Sequence, residues 1–364
     1  MRPQRVLAVR PDGLGDVLLT GPAVRAMAAG GREVVFLAGP DGAAAARLLP
    51  GVTRVITARL PWIDPEPGPV APAAVRHLVR ALRKMNVRHA VIFTSFHQSP
   101  LPTALVLRMA GVPRISAISD DYPGALLDVR HRLSGADIPE AERNLSLAAA
   151  AGFRLPVGDP GLLAVTGPLP DPVPLTGGGR YVVLHPGASV PARRPSASHT
   201  AAMAAALSAA GHRVLVTGSP GEADRAAEIC RRAGGGPVNL GGRTSLPMLA
   251  AVLAGADVLV APNTGAAHLA AAVGTPVVSL FAPVVPAARW APYRVPAVLL
   301  GDQQAACAGS RARTCPVPGH PCLDQIDPAG VAAAVAALAG PPGTARPTPA
   351  GATPAGATGA GAGR

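Results

Sequence analysis

Short apolar runs alternate with amphipathic or alanine-rich segments along most of the chain. In the first half, "RVLAVR" (5–10), "EVVFLAG" (33–39), "RVITAR" (54–59), "HAVIFTS" (89–95) and "RISAIS" (114–119) predict strands. Between them, "DVLLTGPAVRAMAA" (16–29), "GAAAARLL", "VRHLVRALRKM" (75–85) and "LPTALVLRMAG" predict helices. The strands read as continuous hydrophobic runs, the pattern of a parallel sheet covered on both faces. From Leu155 to Arg180 proline and glycine break every period and predict a linker. Strands return at 181–187, 212–219, 237–242, 257–263 and 276–283, with helices near 198–210, 222–234, 245–256 and 265–274. The expected class is α/β with two doubly wound domains. Their bounds are 1–155 and 181–327, with a linker at 156–180 and a closing helix at 328–339. The low-complexity tail, 340–364, is expected to be disordered.

In such sheets ligands bind beyond the carboxyl ends of the strands, so the cleft between two of them is the expected site. Four strand-end motifs supply its chemistry. In "VRPDGLGDVLLTGP" (9–22), Asp16 stands at the start of a helix. It reads either as an N-cap, worth about 1 kcal/mol, or as a general base, with Gly13 and Gly15 letting an acceptor approach the backbone. In "HPGASVPARRPSASH" (185–199), Ser189 lies in a tight turn ahead of Arg193 and Arg194. Those two fork onto phosphate oxygens or form an exposed basic loop. In "TGSPGEADRAAEI" (217–229), Glu222 opens a helix, where the dipole favours a carboxylate, or binds ribose hydroxyls.

The fourth motif is "PNTGAAHLAAAVGTPVVSLFAP" (262–283). Asn263, Thr264 and Gly265 precede a helix expected to begin near Ala266, and His268 sits on its first turn. Free amides at a helix N-terminus make an anion site. The alternative is a capped core helix with a buried histidine. A polar cluster at a strand's carboxyl end favours phosphate.

Composition narrows the function classes. The chain has 364 residues and a net charge of +12, carried almost wholly by arginine, with Lys84 the only lysine. The charge calls for an anionic partner. Arginines are dispersed and lack aromatic interleaving, so nucleic acid is not expected and a phosphate-bearing small molecule fits better. No run of eighteen apolar residues indicates a membrane span, and the N-terminal apolar run is too short for a signal peptide. The cytoplasm is the expected location, with room for peripheral contact at the inner membrane face, although no amphipathic anchor stands out. Cys307, Cys315, Cys322 and His320 could form a zinc site. Their spacings of seven and six intervening residues are wider than the usual pattern, so no metal is expected and a reduced, ordered loop is the reading.

The four motifs together resemble glycosyltransferase family 9, the ADP-heptose:lipopolysaccharide heptosyltransferases. The likeness rests on "GLGDVLLTGPAVRAM", "HPGASVPARR", the block from "NLGGRTSLPM" to "PVVSLFAP", and "RWAPY" (289–293). It runs from about Arg5 to Ala339. The resemblance implies a GT-B fold, two facing Rossmann-like domains, and lipopolysaccharide or cell-envelope biosynthesis. It places a donor diphosphate at Thr264, Gly265 and His268, the nucleotide ribose at Glu222, and a phosphate-contacting cation at Arg193. It makes Asp16 the general base of an inverting transfer from an ADP-heptose-like donor to a glycan or lipid-linked acceptor. No cofactor and no magnesium-binding D-x-D are required in that design. Two departures concern the donor: Asn263 stands where aspartate is frequent, and Pro195–Ser196 follow the basic pair in place of Trp-Pro.

On the acceptor side, "TSFHQSP" (94–100) follows a strand, and His97 and Gln98 are candidate contacts, with Arg114, Asp120, Asp121 and Tyr122 as further ones. Two other classes compete. An NAD-dependent oxidoreductase would need a third glycine where Leu18 stands. A non-catalytic nucleotide-binding protein of the same fold would bind ligand without transfer.

Overall fold

The structure, a computed structural model, describes residues 4–133 and 137–339. The disorder expected at 340–364 falls outside the described residues.

The first half runs β1 (Arg5–Arg10), α1 (Leu14–Leu18), α2 (Gly21–Ala28), β2 (Glu33–Ala38), α3 (Ala43–Leu48), β3 (Val52–Thr57), α4 (Pro72–Met85) and β4 (His89–Ile92). It continues with α5 (Leu101–Met109), β5 (Arg114–Ile118), β6 (Val129–His131) and α6 (Glu140–Ala150). The second half runs α7 (Val173–Thr176), β7 (Val182–Leu184), α8 (Ala197–Ala209), β8 (Val214–Gly218), α9 (Ala223–Arg232), β9 (Val238–Gly241), α10 (Leu246–Gly255) and β10 (Val258–Pro262). It ends with α11 (Gly265–Ala272), β11 (Val277–Leu280), α12 (Ala287–Trp290), β12 (Ala297–Leu300), α13 (Pro321–Asp324) and α14 (Pro328–Ala339).

Each half builds one six-stranded sheet, in the orders β3-β2-β1-β4-β5-β6 and β12-β11-β10-β7-β8-β9. All pairings are parallel. Counted from the first strand of each half, both orders are 3-2-1-4-5-6, the Rossmann arrangement, whose switch point lies beside the first strand. That puts the ends of β1 and β7 at the centre of their clefts.

The alternation of burial explains why these strands carry no polar face. Val6, Ala8, Val34 and Phe36 pack towards α2, while Leu7, Val9, Val35 and Leu37 pack towards α4 and α5. In the second sheet, Val182, Leu184, Val258 and Val260 pack under α8, α9 and α14, and Val183, Leu259 and Ala261 pack under α10 and α11. One apolar cluster is continuous across both halves, from Met27 and Ala46 to Leu253 and Leu269. The lobes therefore share a core beside the cleft, and each large side chain buried there contributes roughly 1.5–3 kcal/mol.

The structure departs from the sequence reading in a few places. The helix expected at 16–29 is two, because Gly21–Pro22 restarts it. Proline has no N–H to donate and restricts the residue before it. The elements β6, β12 and α6, and the single-turn α12 and α13, were not expected. The linker at 156–180 contains the single-turn α7.

Candidate active site

The loops after β1, β4, β7, β8 and β10 converge on a cleft of about 1280 Å³ between the two sheets. Its centre is set by Arg10, the last residue of β1, which is fully buried. A guanidinium taken out of water must be compensated. Arg10 Nη2 donates to Asp16 Oδ1 at 2.8 Å and to Ser95 Oγ at 2.9 Å. Nε lies 2.7 Å from Asp12 Oδ2 and Nη1 3.8 Å from Glu140 Oε2, as ion pairs rather than aligned hydrogen bonds. Burial opposes the charge on Arg10, yet Asp12, Asp16 and Glu140 together hold its pKa above the ordinary value. Burial pushes the Asp12 and Glu140 carboxyls up, against the pull of Arg10 and Arg143.

Asp16 is not an N-cap. The cap position of α1 is Gly13, with no side-chain bond, and Asp16 lies inside the first turn. Its Oδ1 receives Arg10 and, from the other lobe, Trp290 Nε1 at 3.4 Å. Among the described residues its Oδ2 accepts no hydrogen bond, and the side chain lines the cleft at 28% exposure. The carboxylate is thus oriented through one oxygen and open at the other.

Across the cleft, Thr264 precedes α11 with extended backbone and no side-chain cap, leaving the first-turn amides of Gly265 and Ala266 facing the cavity. Three buried nitrogens nearby lack a partner: Asn263 Nδ2, His268 Nδ1 and Arg193 Nε. His268 is buried, and desolvation lowers its pKa to about 4, despite the negative charge of Asp16. It is neutral near pH 7. Burial also lowers the pKa of Arg193, while Asp16 raises it. Ser189 lines the same wall.

Glu222 closes a capping box, its Oε2 accepting from Ser219 N at 2.8 Å and Ser219 Oγ at 2.7 Å. Burial pushes this carboxyl up, but the two Ser219 bonds, with His185 and Arg194, leave it below its ordinary value. Its Oε1 points over Gly187, where an added Cβ would lie 2.1 Å away, so any larger residue there would displace the Glu222 carboxylate. Helix capping and hydroxyl binding can therefore use different oxygens. Arg194 differs from the other donor-side candidates: it influences Glu222 but does not line the cleft.

The acceptor-side readings change more. A Cβ on Gly13 would meet nothing within 4 Å, consistent with room for a ligand. Gly15 is different. A Cβ there would lie 2.8 Å from His268 Cδ2, so its lack of a side chain admits the other lobe rather than a substrate. Gln98 has both amide ends engaged, donating from Nε2 to Asp12 Oδ1 at 2.6 Å and accepting from Ser95 N at 2.8 Å. It braces the loop. His97 stands exposed on the rim, edge-on to Phe96. Arg114 begins β5, at the far end of the sheet, and Asp120, Asp121 and Tyr122 do not line the cleft.

Sequence reasoning missed the residues that join the lobes. Phe96 lies 5.8 Å from Trp290, with the guanidiniums of Arg289 and Arg311 at 4.6 and 5.6 Å from its ring. Arg289 also donates to Asp137 Oδ1 at 2.6 Å and approaches Glu140. Arg294 Nη2 donates to Glu142 Oε1 at 3.2 Å. One signal was present: an arginine ending the buried run "RVLAVR" demands carboxylate partners. The late cysteines lie close together, and burial, then Cys307 and Cys315, pushes the Cys322 thiol up to about 12. Among the described residues no group of His, Cys, Asp and Glu is placed to hold a metal ion.

Comparisons with known proteins follow the same lines. The family model for glycosyltransferase family 9 (heptosyltransferase) matches residues 76–320. A lipopolysaccharide core heptosyltransferase, OpsX of Haemophilus influenzae, is 42% identical over 57 residues, a stretch spanning 16% of this chain and 16% of that protein. Among solved structures, the E. coli ADP-heptose LPS heptosyltransferase II superposes with a TM-score of 0.71 at 21% identity, covering 92% of this chain and 98% of that one. A family 9 glycosyltransferase from Veillonella parvula gives 0.72 at 16% identity, covering 92% and 97%. E. coli heptosyltransferase WaaC with ADP-2-deoxy-2-fluoro heptose gives 0.65 at 22% identity, covering 82% and 94%. The shared fold is GT-B.

Two predictions arise from this geometry. His268 and His89 are buried and both have pKa values lowered to about 4, chiefly by desolvation. The folded state therefore binds fewer protons than the unfolded chain below the ordinary value of 6.5. Stability is complete above that pH and falls as pH drops towards 4. Replacing His268 with Gln should flatten the dependence of melting temperature on pH across this window; an unchanged slope would remove His268 from the account. Second, a Cβ at Gly265 would lie 2.5 Å from Leu14 Cδ2 and 3.3 Å from Gly15 N. Gly265→Ala should prise the lobes apart locally and shift Trp290 fluorescence in a Trp62→Phe background, with Leu14→Ala partly reversing the shift.

Proposed function

The chain belongs to glycosyltransferase family 9, the heptosyltransferases, and from that membership we propose that it transfers a heptose-like sugar from a nucleoside-diphosphate donor to a hydroxyl of a glycan or lipid-linked envelope acceptor. The transfer inverts the anomeric centre and uses no metal. One observation carries the reading: Asn263, His268 and Arg193, each with a buried nitrogen that lacks a protein partner, line the same cleft as an uncapped helix N-terminus and the open oxygen of Asp16. Buried polar atoms without partners are costly in a folded chain. A diphosphate, bound with side-chain shifts that bring these donors to the cleft surface, is the ligand class that suits this wall.

Each group then has a task. Asp16 Oδ2 takes the proton of the acceptor hydroxyl, while Arg10 and Trp290 hold Oδ1 and fix the plane of the carboxylate. The hydroxyl oxygen forms a bond to the anomeric carbon from one face as the bond to the donor phosphate oxygen breaks on the other. Negative charge grows on the leaving diphosphate, and the amides of Gly265 and Ala266, His268 and Arg193 stabilise it. Glu222 Oε1 accepts from ribose hydroxyls. Support for an ADP-heptose-like donor comes from the family and from the WaaC structure, which holds an ADP-heptose analogue. Envelope chemistry follows the lipopolysaccharide roles named for the relatives, and the site of action would be the cytoplasmic side of the membrane.

Asp16→Asn should lower transfer by roughly a hundred- to ten-thousandfold, the usual worth of a positioned base. The variant should keep its thermal stabilisation by ADP. Arg193→Ala should lose that stabilisation, which is worth about 3 kcal/mol at a ligand concentration about a hundredfold above Kd in the parent. Transfer by Asp16→Asn near the parent rate would dismiss Asp16 as base. Equal stabilisation of parent and Arg193→Ala would dismiss the diphosphate site.

A further inference from the structure

Helices α4 and α5 lie side by side over one face of the first sheet, burying Leu78, Val79 and Leu82 from one and Ala104, Val106 and Leu107 from the other. Their outward faces therefore point the same way. The outward face of α4 carries Arg76, His77, Arg80, Arg83 and Lys84, all exposed, and residues 72–85 contain no Asp or Glu. Among the described residues none of its four permanent cations pairs with a carboxylate. Beside it, α5 exposes Leu105 and Met109, one turn apart, at 51% and 49%. Arg83 Nη2 donates to the carbonyl of Met109 at 2.8 Å, which joins the cationic and apolar strips.

Arginine is abundant everywhere in this chain, so abundance alone decides nothing. The comparison that does is α9, equally amphipathic and also arginine-bearing. There Arg232 pairs with Glu228 at 2.8 Å and Asp224 adds a second carboxylate against three arginines, so most of its positive charge is offset on the same helix. The α4 face has no such compensation. An uncompensated cationic strip flanking exposed aliphatic side chains is complementary to an anionic lipid surface: the cations meet headgroups and the aliphatic pair enters the acyl boundary.

Placement agrees. The loops leading into α4 and α5 line the cleft at Leu60, Trp62, Phe96 and Gln98. A bilayer lying against the two helices would sit beside the cleft mouth. The sequence offered no anchor because the apolar pair and the cations sit on separate helices, and each alone reads as an ordinary surface.

We propose that the α4–α5 face is a peripheral docking surface for an anionic phospholipid bilayer, coupling the cleft to membrane-borne acceptors. The docking itself does not depend on the donor or on transfer, so its test is kept apart from them. Full-length protein is sedimented with vesicles of phosphatidylcholine alone, and with vesicles containing equal parts of phosphatidylglycerol. Binding is expected only to the anionic vesicles, and to fall steeply with salt. A triple Arg76→Glu, Arg80→Glu, Lys84→Glu variant should bind more than about tenfold more weakly, since each basic side chain is worth roughly fivefold near an anionic surface. Leu105→Ser with Met109→Ser should weaken binding at high salt more than at low salt. Both variants change exposed positions and should melt with the parent and keep its ADP stabilisation. Equal sedimentation with both vesicle types, none with either, or binding indifferent to charge reversal would each overturn the proposal. So would an RNA oligomer that displaces the protein from vesicles at equal charge concentration and whose own binding depends on the same three cations.

Discussion

The cleft is organised by the burial of one guanidinium. Arg10 ends the central strand of its sheet with no exposure to water, and a charge in that position is tolerable only inside a shell of opposite charge and hydrogen-bond acceptors. The shell is drawn from three places: Asp12 and Asp16 just after the strand, Ser95 after β4, and Glu140 at the start of α6. Satisfying Arg10 therefore fixes three loops at once. Glu140 carries the network on, through Arg143 at 3.6 Å and Arg289 of the other lobe at 3.9 Å. Removing Arg10 would leave Asp12 without its ion-pair partner and Glu140 with only the more distant Arg143 and Arg289. The cost would fall on the whole wall of the cleft, because no other cation reaches all three segments.

The same constraint explains what could be read from the chain and what could not. Both sheets were legible, because strands buried on both faces need only apolar runs, and ten of the twelve strands announce themselves that way. The two that do not, β6 and β12, are edge strands. "VRH" is three residues with a polar majority, and "AVLL" follows a proline-rich loop. Helix α6 was hidden for a different reason. Its buried positions include Glu140, Arg143 and Asn144, so its inward face is polar where the usual pattern expects hydrophobes. Glu140 faces Arg10, Arg143 donates to the carbonyl of Thr94 after β4, and Asn144 donates to the carbonyl of Leu19 between α1 and α2.

The strand-end motifs were legible for the reason the Rossmann order gives: polar residues clustered just beyond an apolar run have few structural uses. Asp16, Arg193, Glu222, Asn263, Thr264 and His268 all line one cleft. Glycine was read less well. Gly15 looks like a ligand-approach glycine in sequence, but it lines the cleft and, like Gly265, also makes room for the other lobe. No local pattern distinguishes a backbone bared for a substrate from one bared for a helix 250 residues away. Trp290 is the same problem in another form, since its contact to Asp16 spans 274 positions.

That long-range contact determines how the carboxylate is held. Within its own lobe, Asp16 has a single anchor, Arg10, at Oδ1. The second donor to that oxygen, Trp290, comes from the opposite lobe and packs near Phe96, whose ring also lies 4.6 Å from the guanidinium of Arg289. The paired glycines allow the approach that brings these groups together. The open oxygen is therefore oriented from both lobes, by Arg10 within its own and by Trp290 from the other. The carboxylate and the opposite wall, with its uncapped helix N-terminus, face one another across one cleft. On the mechanism proposed above, this arrangement would tie proton acceptance to the presence of the wall that receives the leaving group.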